Sequence, residues 1–411
     1  MLSEVDIAIV GAGAAGLAAA VALREAAVRA VVLEARDRVG GRGCTAEVGG
    51  HAVDFGCGWL HSADVNPFCR LAEQLGFEID RTPPHWMRQA HNIRFPPEQQ
   101  AQYRRALEAL EARVEAAAAN GLDVAASTLM LPECPWNPLL DAFSSYYNGA
   151  EFEAISTLDY SAYEDSGVNW RVRRGYGALI AAAGEGVEVA LGTPVTCIDH
   201  SGERVRLDTP KGELSARAVI VTVPTPLIAE GALVFTPELP QVREAAAALP
   251  LGLANKVFIH LDEPQMFEPD SHLTGNPSRT ETGSYHLLPF GRPMIEAFLG
   301  GRHARMLEEE GPGAASAFAI EELCELLGSS FRTKARAVAE TGWATDPWSR
   351  GAYSHALPGC ASARAALAGP IDNRIFFAGE ATSPHAFSTA HGAADSGREA
   401  ARLALGALTP A

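Results

Sequence analysis

The chain begins with a nearly continuous apolar run at residues 5–10, in which apolar and polar positions do not alternate. Runs of this kind are typical of parallel strands that helices cover on both faces. The pattern then predicts a helix at 17–24 and a second apolar strand at 30–34. This order of strand, helix and strand predicts the first βαβ unit of a parallel sheet.

Further apolar segments occur along the whole chain and are separated by turn-forming residues. They predict strands at 187–195, 205–207, 218–224, 254–261 and 374–380, and helices at 98–119 and 314–327. With 411 residues, the chain is too long for one compact core. We therefore expect an α/β fold with two domains.

Three glycines follow the first strand with the spacing Gly-x-Gly-x-x-Gly. The first allows a tight turn, the second lets the backbone approach a pyrophosphate, and the third permits close packing of helix on strand. The N-terminus of the helix favours phosphate binding, and the acid that ends the second strand suits a ribose diol. The predicted dinucleotide contacts are Gly11, Gly13, Ala14, Ala15, Gly16 and Glu34.

Composition excludes several classes of function. The net charge of −17 argues against nucleic acid, and it either attracts a cationic substrate or serves solubility alone. No apolar run reaches the roughly 18 residues of a membrane span, and residues 1–10 lack the basic region of a signal peptide. Seven cysteines without a Cys-x-x-Cys spacing predict neither disulfides nor a metal site. We expect a cytoplasmic protein without metal, membrane span or nucleic acid.

Residues 34–42, Glu-Ala-Arg-Asp-Arg-Val-Gly-Gly-Arg, resemble the second glycine motif of the flavin amine oxidase superfamily. In that family the paired glycines and the arginine meet the diphosphate of FAD. The fork of donors on Arg42 matches phosphate oxygens. The resemblance implies FAD contacts at Ala35, Arg36, Gly41 and Arg42.

Three later segments resemble other parts of the same family. Residues 187–195 resemble a strand whose backbone contacts adenine, 374–380 a strand that brings an acid to the ribityl or diphosphate region, and 388–401 a closing helix that faces the flavin ring. The contacts implied by these segments are Val195, Gly379, Glu380, Thr389 and Ala390.

The resemblance implies a discontinuous, Rossmann-like FAD-binding domain. We assign it residues 1–80, 174–246 and 345–411. The remaining residues, 81–173 and 247–344, are expected to form a second, α+β domain that binds the substrate.

Two segments resemble parts of the family that carry amine oxidation. Residues 252–257 resemble the strand with the flavin-facing lysine, here Lys256, which alternatively is an ordinary lysine with a buried stem. Residues 341–354 resemble a segment that implies Trp343 beside the flavin and Tyr353 as one wall of an amine cage. An aromatic wall suits this task because it attracts a cation and packs an alkyl chain.

Two departures point to the polyamine oxidase branch. Ala352 stands where monoamine oxidases of the mitochondrial type carry a cysteine bonded to FAD, which implies non-covalent FAD. Thr389 stands where those enzymes place the second cage aromatic, and Phe387 is expected to supply a displaced wall.

Residues 54–61 resemble the polyamine oxidase segment whose histidine, here His61, senses the substrate amine; a purely structural histidine is the alternative. This segment implies cofactor contacts at Gly56, Cys57, Gly58 and Trp59, the last also a pocket residue.

The resemblance implies oxidation of a C–N bond of a primary or secondary, polyamine-like amine to an imine, with oxygen reduced to hydrogen peroxide. The expected partners are a small amine and oxygen, with the chain a monomer or homodimer. Three alternatives remain open. An L-amino acid oxidase needs a cation for the carboxylate, with Arg88 or Arg94 as donors. The others are a carbon–carbon desaturase related to protoporphyrinogen oxidase, and a non-catalytic FAD-bound protein similar to histone demethylases.

Overall fold

The structure is a computed structural model that describes residues 4–87, 89 and 94–408. Its strands are β1 Glu4–Val10, β2 Ala30–Leu33, β3 Thr45–Val48, β4 His51–Asp54, β5 Ile79–Asp80, β6 Arg171–Val172, β7 Val189–Ala190, β8 Cys197–Asp199, β9 Val205–Thr209, β10 Gly212–Val221, β11 Val234–Thr236, β12 Ala254–Leu261, β13 Ser271–Thr274, β14 Ser284–Leu287, β15 Met294–Gly300, β16 Ala335–Glu340 and β17 Ile375–Phe377. Its α-helices are α1 Ala14–Leu23, α2 Pro67–Gln74, α3 Pro97–Ala119, α4 Asn137–Tyr147, α5 Thr157–Ala162, α6 Tyr176–Ala183, α7 Thr225–Ala229, α8 Pro240–Ala247, α9 Gly301–Glu310, α10 Ala314–Leu327, α11 Ala363–Ala368 and α12 Ala390–Leu408.

The larger sheet has eight strands and is centred on β10. Strand β10 is parallel to β1 along its length and to β17 near its end, while its first half pairs with β9 in the antiparallel sense. Strands β2 and β7 continue the parallel part beyond β1, and β8 and β11 extend the sheet beyond β9. The first and last strands of the chain therefore lie on either side of β10.

Both faces of this sheet are buried, as the apolar run in β1 predicts. Ala8 and Val10 belong to a core shared with α7, α8 and α11, whereas Ile7 and Ile9 belong to a core shared with α1, α6 and α12. The prediction of an α/β fold with a parallel sheet is confirmed.

The smaller sheet is antiparallel, with the strand order β13-β14-β15-β12-β16. Its odd-numbered positions on β12, including Val257 and Ile259, pack with α9 and α10 in a third core. Because side chains alternate along a strand, Lys256 and its neighbours of the same parity lie on the opposite face. That face borders the cavity described below.

The predicted bounds of strands and helices agree best with the structure where the apolar pattern is long. The strand predicted at 254–261 and the helix predicted at 314–327 are found with those bounds. The strand predicted at 187–195 is confirmed only at β7, because Gly192 has a positive φ of 56° and Pro194 has no N–H to donate. The proposed division into two domains stays a prediction.

Candidate active site

A continuous cavity of ≈ 940 Å³ connects the two sheets. Every residue predicted for the cofactor or the substrate lines it except Gly16. The cavity begins among the glycines at the carboxyl ends of β1 and β2, passes Lys256 on the smaller sheet, and extends between α4 and α5. Crevices at the carboxyl ends of parallel strands are the usual ligand sites of such sheets.

The first glycine turn ends at the N-terminus of α1, which no side chain caps within the described residues. The amide groups of this first turn are therefore available to a ligand. A Cβ on Gly13 would meet only Gly41 Cα, at 4.0 Å, so the space before it belongs to the cavity. Gly16 has a different role, because a Cβ there would lie 1.8 Å from Gly11 O. Gly16 thus supports the turn by close packing.

The second glycine motif lies against the first. Gly13 and Gly40 form a parallel bridge, and a Cβ on Gly41 would lie 3.2 Å from Gly13 Cα. Nη1 of Arg42 donates to Ala352 O at 2.7 Å and to Glu380 Oε1 at 2.9 Å. The other guanidinium donors make no hydrogen bond within the described residues, which leaves them for a phosphate oxygen.

The acid at the end of β2 is held by backbone amides. Glu34 Oε2 accepts from Ala12 N at 2.7 Å, and Oε1 accepts from Arg36 N at 2.8 Å. Each carboxylate oxygen keeps a second lone pair, and Glu34 lines the cavity. Across this end, the backbone amide of Val195 makes no hydrogen bond within the described chain. These groups suit a ribose diol and an adenine edge.

Glu380 is a buried carboxylate that fixes two loops. It accepts hydrogen bonds from Arg42 Nη1, from Ser354 Oγ at 2.6 Å and from Ser388 N at 2.9 Å. Burial acts to raise the pKa of Glu380, but the guanidinium of Arg42 and the Ser354 hydroxyl outweigh it and hold the pKa below its ordinary value. The carboxylate is therefore ionised and complements the cationic Arg42.

Lys256 reaches the cavity from β12. Its Nζ donates to the backbone oxygen of Asp54 at 2.8 Å and pairs with Glu296 Oε1 at 2.7 Å. An ammonium has three N–H donors, so one remains for a ligand or a water molecule in the cavity. A Cβ on Gly58 would lie 3.4 Å from Nζ, which shows how close this glycine approaches the ammonium.

Two aromatic residues of the segment 341–354 lie on the cavity wall. Trp343 is buried, and its indole N–H donates to Phe55 O at 3.1 Å. The hydroxyl of Tyr353 donates to Tyr146 O, and burial raises the pKa of this phenol. Tyr353 is thus held neutral and fixed against α4, with its ring on the cavity.

Phe387, which the sequence analysis expects as a wall of the pocket, packs against tyrosines that the sequence analysis did not include. Its ring packs edge-on against Tyr163 at 5.4 Å, and Tyr163 in turn packs against Tyr147 at 5.8 Å. The guanidinium of Arg364 lies 3.8 Å from the centre of the Phe387 ring. The aromatic residues clustered at 143–163 are the sequence feature that could have indicated this wall.

His61 lines the cavity in a defined tautomer. Nδ2 of Asn169 donates to Gly167 O at 3.2 Å, so its Oδ1 faces Nδ1 of His61 at 2.6 Å. An amide oxygen only accepts, and Nδ1 therefore carries the proton, leaving a lone pair on Nε2. Burial lowers the pKa of His61 despite this hydrogen bond and the nearby Asp165. The neutral ring is an acceptor for an amine N–H.

Thr389 lines the cavity, but its hydroxyl has other partners. It donates to Ala386 O at 2.6 Å and accepts from Gly392 N at 3.0 Å, in the manner of a helix N-cap. Thr389 therefore supports the start of α12 and Ala390, and its hydroxyl is not free for a substrate.

Two arginines were considered as partners for a substrate carboxylate. Arg94 is exposed and does not line the cavity, and Arg88 lies outside the described residues. Among the described residues, Arg36, Arg42, Arg104 and Lys256 are the basic side chains that line the cavity. Arg104 is exposed, Arg36 pairs with Asp346 at 2.5 Å, and the other two pair with carboxylates as above.

A doubly wound sheet, two glycine motifs in contact and a cavity between two sheets define a dinucleotide-binding enzyme. The family model described as flavin containing amine oxidoreductase matches residues 14–405. The chain belongs to this family, is an amine oxidase and uses FAD.

Individual relatives are similar to this chain over most of its length. Polyamine oxidase 2 of Arabidopsis thaliana is 29% identical over 431 residues, which cover 96% of this chain and 87% of that protein. Lysine-specific histone demethylase 2 of Homo sapiens is 27% identical, over 97% of this chain and 53% of that protein. A structure of a putrescine oxidase double mutant has the same fold, with a TM-score of 0.81 at 20% identity, over 98% of this chain and 99% of that one.

The described residues contain neither a membrane-spanning helix nor a metal-binding group of side chains. Over residues 4–87, 89 and 94–408, no helix is long and apolar enough to cross a membrane. Within the same part of the chain, no group of three or more histidine, cysteine, aspartate or glutamate side chains could hold a metal ion.

Proposed function

We propose that the protein oxidises a primary or secondary, polyamine-like amine to an imine, with oxygen reduced to hydrogen peroxide. One observation carries this proposal: a single cavity joins the two glycine motifs to the aromatic wall of Tyr353 and Phe387, with the Lys256 ammonium between them. In the overall reaction the amine loses two electrons and two protons, which oxygen takes up to form peroxide. Oxygen as acceptor, the cytoplasmic location and the monomeric or homodimeric state stay predictions.

The chain fits FAD. The glycines of both motifs leave room that a Cβ would fill, and the uncapped amides of α1 and the free donors of Arg42 suit the diphosphate. Glu34 and Val195 suit the adenosine end. Bound FAD supplies a two-electron acceptor for the amine and passes the electrons to oxygen.

The side chains around the amine have three tasks. The Nε2 lone pair of neutral His61 accepts an amine N–H and so orients the nitrogen. The rings of Tyr353 and Phe387 pack the alkyl chain and exclude water. Lys256 holds a water molecule or a developing charge through its remaining N–H.

FAD is held without a covalent bond in this proposal. Ala352 cannot form one, and its carbonyl is already the acceptor of Arg42 Nη1. Acid precipitation of the purified protein should release all of its flavin into the supernatant. Colour that stays in the washed precipitate would contradict the proposal.

The function is tested by anaerobic mixing of the yellow protein with polyamines, monoamines and L-amino acids. We expect polyamines to bleach the flavin, and peroxide to appear when air is readmitted. Bleaching by L-amino acids alone would favour the amino acid oxidase alternative. A flavin that dithionite reduces but no amine reduces would reject the proposal.

A further inference from the structure

Two histidines without a role in the reaction above line the cavity beside the smaller sheet. His272 lies on β13 and His85 on a short 3₁₀ helix, and the His85 ring stacks on His286 with 3.8 Å between ring centres. His272 and His286 are directly paired across β13 and β14. The three rings form one buried cluster.

Neither His85 nor His272 makes a ring hydrogen bond within the described residues, and the Nδ1 atom of each is fully buried. Burial lowers the pKa of His272 to about 3, and it lowers the pKa of His85 well below the ordinary value. Both rings are therefore neutral, each with one N–H and one lone pair. The Nε2 atom of each ring also has no partner within the described residues but is not fully buried, so with the proton on Nδ1 it can accept a hydrogen bond from a ligand in the cavity.

The sheet sets the position of these rings relative to Lys256. Directly paired residues form two rows across β13, β14, β15 and β12, all on one face: Thr274, Ser284, Phe298 and Lys256 in one row, and His272, His286, Glu296 and Phe258 in the next. The whole first row and His272 line the cavity. Three interstrand steps place His272 about 14 Å from the strand of Lys256.

The surroundings of the cluster favour a cationic ligand with an alkyl chain. Trp59 lies 5.7 Å from His85 and 4.6 Å from Trp86, and both indoles line the cavity. Aromatic faces attract cations and pack methylene groups. The guanidinium of Arg171 lies 5.1 Å from the centre of the Trp59 ring and is paired with Asp80 at 3.3 Å and Asp270 at 2.8 Å, so its charge is neutralised and one face of Trp59 is already occupied.

We propose that His85, His272, Trp59 and Trp86 form a subsite for the distal ammonium group of a polyamine longer than a four-carbon diamine. The lone pairs of the two imidazoles accept N–H bonds from the ammonium, and the indoles pack the chain that leads to it. A span of about 14 Å exceeds the length of a four-carbon diamine and suits a tri- or tetraamine. This inference rests on the proposed function and adds the class of substrate.

The test is anaerobic reduction of the FAD-loaded protein by spermine and by putrescine. In the wild type, we expect half-saturation at a spermine concentration at least about tenfold below that of putrescine, as one or two charge-assisted hydrogen bonds would give. His272→Leu and His85→Leu should each raise the value for spermine about tenfold. The maximal reduction rate and the half-saturating concentration of putrescine should change less than about twofold.

His303→Leu is the matched control. His303 is 8% exposed against 9% for His272, and it lies on α9 away from the cavity. Neither of its ring nitrogens has a partner in the described part of the chain. This variant should leave the half-saturating concentrations of both amines unchanged.

Equal half-saturation of wild type by both amines would overturn the subsite, even where the histidine variants fail to fold. Equal effects of His272→Leu on both amines, or no effect, would also overturn it. Tighter binding of singly acetylated spermine than of spermine would reject the ammonium as ligand. The absence of any reduction by amines would instead reject the proposed function itself.

Discussion

The two sheets contribute to the cavity by different means. At the larger sheet, the contacts come from backbone groups that glycines expose, as at Gly13 and Gly41. At the smaller sheet, they come from side chains on one face, such as Lys256 and His272. Backbone contacts require small residues at fixed spacing along the chain, whereas a sheet face requires only that residues from different strands share a register.

This difference predicts that the backbone region tolerates little change and that the side-chain region can vary in chemistry. A Cβ at Gly56 would lie 1.7 Å from Arg42 O, so the glycine region is limited by backbone collisions. The face of the smaller sheet that borders the cavity has no such limit at Thr274, Ser284 or Phe298. We infer that the larger sheet fixes the cofactor and the smaller sheet sets the choice of amine.

The largest expected effect is at Lys256, where the side-chain region meets the chemistry. Lys256→Met should slow flavin reduction or reoxidation about a hundredfold or more, since a positioned proton donor contributes at least that much. Stopped-flow absorbance of the two half-reactions measures it, with FAD content as a check on folding. Lys334→Met, which removes a half-exposed lysine paired with Glu263, is the control. Unchanged rates in both half-reactions would remove Lys256 from the mechanism.

The next effect is on the backbone region. Gly16→Ala should weaken FAD binding about thirtyfold, because the added Cβ forces Gly11 and α1 apart at a cost of about 2 kcal/mol. The ratio of flavin to protein absorbance after dialysis measures it. Gly406→Ala, where a Cβ meets nothing within 4 Å, should keep its FAD. Full FAD content in Gly16→Ala would show that the turn does not depend on this packing.

A smaller effect is expected from the partner of Lys256. Glu296→Gln keeps the shape of the side chain but removes one charge-assisted bond, so the Lys256-dependent half-reaction should slow about tenfold. Glu296→Asp should restore part of the rate if the charge matters. The control Glu263→Gln removes a similar pair with Lys334 at 2.7 Å, remote from the cavity. Equal slowing of both half-reactions by Glu296→Gln would indicate a structural role only.

The last effect, the dependence of stability on pH, is small for each single histidine. Burial lowers the pKa of seven histidines below the unfolded value: His272 to about 3, His355 and His391 to about 4, and His61, His85, His286 and His303 in the same direction. The unfolded chain then binds more protons than the native one, so stability is lost as pH falls from about 7 to about 5, by up to about 1.4 kcal/mol per pH unit for each histidine. Urea unfolding at several pH values measures this slope.

His272→Leu should flatten that slope by about one histidine. A free energy of unfolding that rises as the pH falls over this interval would show that the buried histidines are not neutral in the native state.

The sequence patterns describe the backbone region more completely than the side-chain region, for a physical reason. One short segment contains the glycine turn, α1 and the acid Glu34, and the spacing of these residues along the chain is enough to predict their geometry. The rows that bring His272 and Glu296 to the face of Lys256 depend on the pairing of strands far apart in the chain. A one-residue change in the register of a strand would move its side chains to the other face of the sheet. No local sequence pattern specifies this register.

Single residues show the same limit. The sequence placed Thr389 on the cavity, but whether its hydroxyl serves a substrate or caps α12 depends on where Ala386 O lies. The tautomer of His61 depends on Asn169, more than a hundred positions away. The aromatic residues at 143–163 form a visible cluster in the sequence, but the cluster alone does not show that these side chains line a cavity.

The contact between α1 and α12 has a consequence for how the protein is made. A Cβ on Gly397 would lie 2.0 Å from Ala15 O, so the two helices pack with their backbones almost touching. During synthesis α1 leaves the ribosome long before α12. Until α12 has emerged, the apolar side chains of α1 lack the part of the core that α12 supplies. We therefore expect a nascent chain to capture FAD only after the residues of α12 have emerged, and until then to depend on chaperones for protection.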